Sequence, residues 1–449
     1  MRVAGAVAWM SIALIAGCPV QEGKTVKSSR VRPWESSMRA AEVRRRSVLL
    51  SGLGLPLGLL AARAPRASAA TPATAAAAAT AAGRAPSPRL MLPAPTGPYR
   101  LGTVSLDLVD PSRPDPWVPG IPFREMVISI VYPAREAGDH PREPYFTPVV
   151  ARAYEQEIGV PTPLNWPITH AHRHAPVLAR EGGWPVVLYA PGLGDERNDT
   201  TAIAEDLVSH GYVVVTIDFV HDSGVVQLPD GRLAESAVPE PTLPVTIKEV
   251  VSRAEDVSFI LDQLAVINRG SNPDHEQRPL PCGLRGSLNL DRTGMFGHSD
   301  GGSTAAHVMH VDSRVKAGAD MDGTLWTRQA VAGSGGALLL FGEQTLAADE
   351  ASSWDEFWAA QRGPKLQLSL LGSEHATFTD FAPLVPQAAP ILGEPPSWVT
   401  ELIGTINGLR AVTVERTYIR AWFDTYLGHH DSRLLAGPSP LFPEVQFVR

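Results

Sequence analysis

Residues 294–306 read Gly-Met-Phe-Gly-His-Ser-Asp-Gly-Gly-Ser-Thr-Ala-Ala, and their order decides the fold. A short apolar run, Gly294–Phe296, enters Gly297-His298-Ser299-Asp300-Gly301, and the small residues from Gly301 onward suit a helix that leaves it. This is a strand, a turn and a helix around a Gly-x-Ser-x-Gly centre, the pattern of a nucleophile elbow. The glycines have a physical purpose. A sharp strand-to-helix turn crowds neighbouring side chains and favours φ > 0, which a Cβ resists. Such a turn exposes Ser299 Oγ and sets it at the positive end of a helix.

Outward from this turn, apolar runs alternate with helical ones. Leu101–Val109, Glu125–Tyr132, Pro185–Tyr189, Tyr212–Ile217, Gly294–Phe296, Val315–Ala319, Ala337–Phe341 and Leu366–Leu371 read as strands. Thr200–His210, Thr246–Val266, Gly301–Val311, Trp354–Gln361 and Val412–Leu427 carry helical spacing. Near-continuous apolar strands between helices predict an α/β protein. Its central sheet is mostly parallel, with helices on both faces and antiparallel strands at its start. Function in such a sheet sits at the carboxyl ends of the strands. Pro141–Gly183 and Asp222–Pro244 break the alternation and read as inserted, lid-like loops, and Pro163–His174 shows no strand-like apolar pattern.

A serine hydroxyl needs a base to take its proton and a carboxylate to hold that base, in the chain order Ser, acid, His. His375, in Gly372-Ser373-Glu374-His375, stands just past the Leu366–Leu371 strand and is the leading base. Two acids compete. Asp322 follows Val315–Ala319, whereas Glu343 follows Ala337–Phe341, the more usual position in α/β-hydrolases. An oxyanion hole requires two backbone N–H groups aimed at the developing charge. Asp300, the residue after Ser299, offers one, and Leu193 in Pro191-Gly192-Leu193-Gly194 offers the other, since Pro191 has no N–H to give.

Pro185-Val186-Val187-Leu188-Tyr189-Ala190-Pro191-Gly192-Leu193-Gly194, followed by Asp206-Leu207-Val208-Ser209-His210-Gly211-Tyr212, resembles the plasma-type platelet-activating-factor acetylhydrolase family. The similarity continues through the Ser299 elbow and Met321-Asp322 to Gly372-Ser373-Glu374-His375-Ala376-Thr377-Phe378-Thr379-Asp380-Phe381, roughly residues 98–385. The resemblance implies an α/β-hydrolase-fold serine esterase that needs no metal or organic cofactor. It implies a phospholipid substrate with a short or oxidised acyl chain at its second position. It favours Asp322 over Glu343 as the acid, and Leu193 with Asp300 as oxyanion donors. Two residues depart from the family: Pro191 stands where members tend to carry His, and Asp300 where they tend to carry an apolar residue. Both bear on the substrate more than on the reaction.

The chain has 449 residues, 44% hydrophobic and 19% charged, which excludes a disordered protein. Residues 1–70 hold 11 Lys/Arg and 3 Asp/Glu, and the remainder holds 28 and 44, a net of −16 that argues against nucleic acid as a partner. Arg44-Arg45-Arg46 before the uncharged run Ser47–Ala62 and Ala67-Ser68-Ala69 has the form of a twin-arginine export signal. Ile15-Ala16-Gly17-Cys18, inside the earlier uncharged run Val3–Val20, looks like a lipoprotein cleavage box. Translation from Met38 would leave one signal, with a lipid anchor on Cys18 as the alternative. The expected organisation is an export region over 1–70, an Ala/Pro-rich linker over 71–97 and a catalytic domain over 98–449. No intramolecular disulfide is expected from Cys18 and Cys282.

Other residues carry less. His170, His172 and His174 alternate but lack companion ligands at suitable spacing, so they predict no metal site. His307 and His310 read as packing or surface groups, and His429-His430 as helix-end cations. Trp354, Phe357 and Trp358 share a helical face and read as core, and Asp320 as a turn or packing residue. The sequence thus predicts an exported serine esterase acting through an acyl-enzyme on a small-molecule or lipid ester. Transient contact with a lipid surface and no obligate protein partner go with that expectation. A broader carboxylesterase, lipase or polyester hydrolase would use the same machinery with different lids. A non-catalytic hydrolase-fold binding protein at the cell surface would leave that machinery idle.

Overall fold

A computed structural model describes residues 87–449 except 158, 161, 429 and 431. The export motifs, Met38, Cys18, the linker up to residue 86 and His429 lie outside the described residues. Its strands are β1 (Arg100–Asp110), β2 (Arg124–Ala134), β3 (Arg142–Pro144), β4 (Ile168–Arg173), β5 (Trp184–Ala190), β6 (Val213–Phe219), β7 (Val225–Gln227), β8 (Leu233–Glu235), β9 (Leu288–His298), β10 (Val315–Met321), β11 (Ala337–Glu343), β12 (Lys365–Leu370) and β13 (Val445–Phe447). Eleven of them form one sheet in the order β13-β12-β11-β10-β9-β5-β6-β2-β1-β4-β3, and β7 pairs with β8 apart from it. Every pair from β6 through β5, β9, β10 and β11 to β12 is parallel. Antiparallel pairing joins β1 to β2, β2 to β6, β3 to β4 and β12 to β13.

The strands read as continuous apolar runs because both faces are covered. In β5, Val186, Leu188 and Ala190 enter one core while Val187 and Tyr189 enter the other. The first core is closed by the helices Leu243–Asn268, Asp300–Val311 and Ala348–Ala360, the second by Thr201–Ser209 and Gly408–Tyr426. Trp354 and Phe357 are core residues, as expected, while Trp358 is half-buried with the Lys365 ammonium 4.7 Å from its ring centre. Among the described residues, no helix is long and apolar enough to cross a membrane.

Pro141–Gly183 is not an irregular loop. It supplies the edge strands β3 and β4 and the helix Pro148–Glu157 between them. The absence of a strand pattern in Pro163–His174 is corrected by β4, whose inward residues are Thr169 and Ala171, too small and polar to give an apolar signal. Tyr145, Phe146, Val150 and Tyr154 of this segment pack with Leu384 and Ala388 of the helix Phe381–Leu392. The second insertion, Asp222–Pro244, holds the β7–β8 hairpin.

Candidate active site

β9 ends at His298 and the helix Asp300–Val311 begins at the second residue after it, which leaves Ser299 alone in the turn at φ 55° and ψ −123°. A side chain held at such angles costs about 1–3 kcal/mol and persists only where its surroundings enforce it. They do so here. Ser299 N–H donates to Met321 O at the end of β10 (3.0 Å), and Ser299 O accepts from the N–H groups of Gly302 and Ser303 (2.9 and 3.2 Å). The motif glycines answer to close approach: a Cβ on Gly297 would lie 2.2 Å from the Gly301 carbonyl, and one on Gly301 would lie 2.0 Å from Ala190 O.

His375 opens the short turn His375–Phe378 beyond β12, fixed by a capping box between Glu374 and Thr377. Its Nδ1 lies 2.6 Å from Asp322 Oδ2, and the Asp322 side chain is 1% exposed. Asp322 itself sits at φ 59° just past β10; its N–H donates to Phe341 O (3.0 Å), and its Oδ1 accepts the Glu343 N–H (2.6 Å). Of the two candidate acids, Asp322 therefore meets the imidazole with its carboxylate, and Glu343 gives a backbone N–H to Asp322. Desolvation works against the imidazolium, but the Asp322 hydrogen bond and charge outweigh it, with Glu343 and Asp195 adding, and hold His375 above its ordinary value. Asp320, two residues before Asp322, is fully buried, and burial together with the Asp322 charge pushes its carboxyl well up.

The third component is the turn after β5. Arg253, from the helix Leu243–Asn268, donates Nη1 to Pro191 O (2.8 Å) and Nη2 to Gly192 O (3.1 Å). A trans peptide points its C=O and N–H in opposite directions. Pinning Gly192 O to Arg253 therefore turns the Leu193 N–H away from the guanidinium. Arg253 is wholly buried and balanced by Asp222 (2.5 Å) and Glu249 (2.9 Å), so its position is fixed from three sides. Asp300, opposite, is not a loose anion: Trp326 Nε1 donates to its Oδ1 at 2.6 Å.

Arg253 was not evident among the candidate residues, although the signal was present. Glu249 and Arg253 fall on the same helical stripe as the buried Val250, Ala254, Val257, Ile260 and Leu261, and charge on an apolar stripe needs a buried partner. The remaining histidines take structural places. His307 Nδ1 faces Thr327 Oγ1 (2.9 Å), and His310 Nδ1 takes Gly333 O (2.7 Å). In β4, His170 pairs with Glu205 (2.7 Å) and His172 Nδ1 bonds His140 O (2.6 Å).

Comparison with known proteins places this geometry in a family. Residues 164–392 match the family model of platelet-activating factor acetylhydrolase, isoform II. A probable 1-alkyl-2-acetylglycerophosphocholine esterase of Arthroderma benhamiae is 27% identical over 388 residues, covering 80% of this chain and 94% of that protein. A platelet-activating factor acetylhydrolase of Cavia porcellus is 26% identical over 219 residues, 44% of this chain and 49% of that one. Among solved structures, the ferulic acid esterase from Streptomyces cinnamoneus superposes with a TM-score of 0.67 at 32% identity, covering 80% of this chain and 99% of that one. With the elbow of Ser299 seated at the end of a parallel strand and this much of the chain matched, the protein is an α/β-hydrolase-fold esterase and belongs to the platelet-activating factor acetylhydrolase, isoform II family.

Proposed function

We propose that Ser299 attacks an ester carbonyl, that His375 takes the serine proton and returns it to the leaving alcohol, and that Asp322 orients and charges the imidazole. The Leu193 and Asp300 N–H groups stabilise the oxyanion, and water then releases the acid from the acyl-enzyme. The observation that carries this assignment is the 2.6 Å contact between His375 Nδ1 and the buried Asp322 carboxylate, one strand over from the elbow. The His375 side chain is 48% exposed, so its outer edge is open to a substrate. The proposed substrate is a glycerophospholipid with a short acyl chain at its second position, supported by the names of the relatives matched over most of the chain. The twin-arginine segment supports action outside the cytoplasm.

The likeness to a ferulic acid esterase over nearly its whole length favours a second substrate class, aromatic carboxylic esters. The experiment compares kcat/KM for a 2-acetyl phospholipid, methyl ferulate and nitrophenyl esters from acetyl to palmitoyl. Preference for the phospholipid and the acetyl ester is the expected result. A ranking led by methyl ferulate replaces the phospholipid assignment, and one led by long chains makes the protein a lipase.

The pH profile is a second test. A general base works only when neutral, so kcat/KM rises with pH as His375 loses its proton. Because Asp322 holds the imidazole above its ordinary 6.5, the midpoint is expected above 6.5 and should fall in Asp322→Asn. A wild-type midpoint at or below 6.5 would mean that the Asp322 contact does not set the base.

A further inference from the structure

Beside the nucleophile, three side chains converge without an evident use in ester hydrolysis. His298, the residue before Ser299, is 3% exposed, and its Nε2 lies 3.1 Å from His375 O. A carbonyl oxygen can only accept, so Nε2 carries the hydrogen and Nδ1 presents a lone pair. That Nδ1 is buried and has no hydrogen-bond partner among the described residues. It faces Asp195 Oδ2 at 3.9 Å, and Asp199 offers a further carboxylate oxygen, the ligand atoms of the three residues lying within 4.8 Å of one another. Asp199 Oδ2 is likewise buried without a partner, while Tyr189 O–H donates to Oδ1 at 2.6 Å. A ring lone pair turned toward two carboxylates is an arrangement of acceptors that calls for a cation.

We propose that Asp195, Asp199 and His298 bind a divalent transition-metal ion of the Zn²⁺ class, completed by water, which staples the 191–199 turn to the strand ending at the nucleophile. The donor set argues for this class: an imidazole nitrogen with two carboxylates suits zinc, whereas calcium and magnesium prefer all-oxygen shells. The outer shell argues the same way. A ligating histidine commonly gives its second N–H to a backbone carbonyl, as His298 does to His375, and a ligating carboxylate is commonly held by a donor, as Asp199 is by Tyr189. Zinc holds nitrogen and oxygen ligands at about 2.0–2.2 Å, so donor atoms around it stand about 3–4 Å apart. The three side chains need to close by roughly 1 Å each, and Asp195, half-buried after Gly194 at φ 74°, is the least buried of them. Ligation requires a neutral imidazole, the form in which His298 gives its Nε2–H to His375 O and keeps the Nδ1 lone pair.

The test titrates chelator-treated full-length protein with ZnCl₂ by calorimetry and follows Tm. One saturable site per chain is expected, with Tm raised by about 3 °C at a hundredfold excess over Kd. Asp195→Asn and Asp199→Asn should each weaken binding at least tenfold while the metal-free Tm of Asp195→Asn stays at the wild-type value. Co²⁺ should give visible absorption bands in wild type that both variants lose. No saturable binding below millimolar Zn²⁺, equal binding by wild type and Asp195→Asn, or Ca²⁺ bound as tightly as Zn²⁺ would each overturn the proposal. Fluorophosphonate labelling of Ser299 in the same samples reports on the esterase assignment separately, so either can fail alone.

Discussion

Ser299→Ala is expected to lower kcat by about 10⁶-fold, and Asp322→Asn by about 10⁴-fold, with Glu343→Gln within about threefold of wild type. The ordering follows from what each side chain touches. In the proposed mechanism Ser299 forms the covalent bond, so loss of its hydroxyl removes the nucleophile itself. Asp322 accepts the Nδ1 proton of His375; the amide of Asn can present its N–H instead, which selects the tautomer protonated on Nε2 and leaves that nitrogen unable to act as the base. Glu343 holds Asp322 through its backbone N–H, and that group survives the change to Gln. Nitrophenyl acetate hydrolysis, with near-ultraviolet circular dichroism to confirm folding, reads all three. An active Asp322→Asn together with an inactive Glu343→Gln would transfer the acid role to Glu343.

Arg253 should show a large effect without touching substrate. Burial favours a neutral guanidine, but Asp222 and Glu249 outweigh it and hold Arg253 charged. Arg253→Met strands those two carboxylates in the interior and should destabilise the fold by about 3–5 kcal/mol in urea unfolding. Arg253→Lys is the informative variant. A lysine keeps the charge but replaces the planar fork, which reaches Pro191 O, Gly192 O and Asp222 together, with a point charge. The Leu193 N–H, proposed as an oxyanion donor, then loses its fixed direction, and loss of one such donor costs about 10²-fold or more in kcat. KM should change little, because the donor acts on the transition state. An Arg253→Lys enzyme with wild-type kcat would show that the fork does not set the oxyanion turn.

The legible part of this protein was the part written in local pattern. β5, β6, β10, β11 and β12 were placed within about two residues because strands covered on both faces must be apolar throughout. The candidate site was legible for the same reason, since Ser299, Asp322 and His375 each stand just past such a strand. What escaped depended on distant partners. β4 pairs with Gly102 and Thr103, some seventy residues earlier, and its inward Thr169 and Ala171 carry no apolar signal. The helix Phe381–Leu392 was hidden by Pro386 and Pro390, which local propensity reads as breakers and which the packing of Leu384 and Ala388 overrides. His298 looked like a motif filler, because the direction of its lone pair depends on a carbonyl 77 residues away.

The two ends of the large sheet carry a consequence for handling and storage. A row of unpaired N–H and C=O groups along an outermost strand is a template on which another chain can add. Here the outermost strands, β3 and β13, are three residues each; β3 has a break in its register and ends in Pro144, which lacks an N–H. The long apolar strands that carry the chemistry are thus shielded on both flanks by segments too short and irregular to recruit a neighbour. Resistance to fibrillar assembly at high concentration should therefore depend on Pro144 and on the residues of β13.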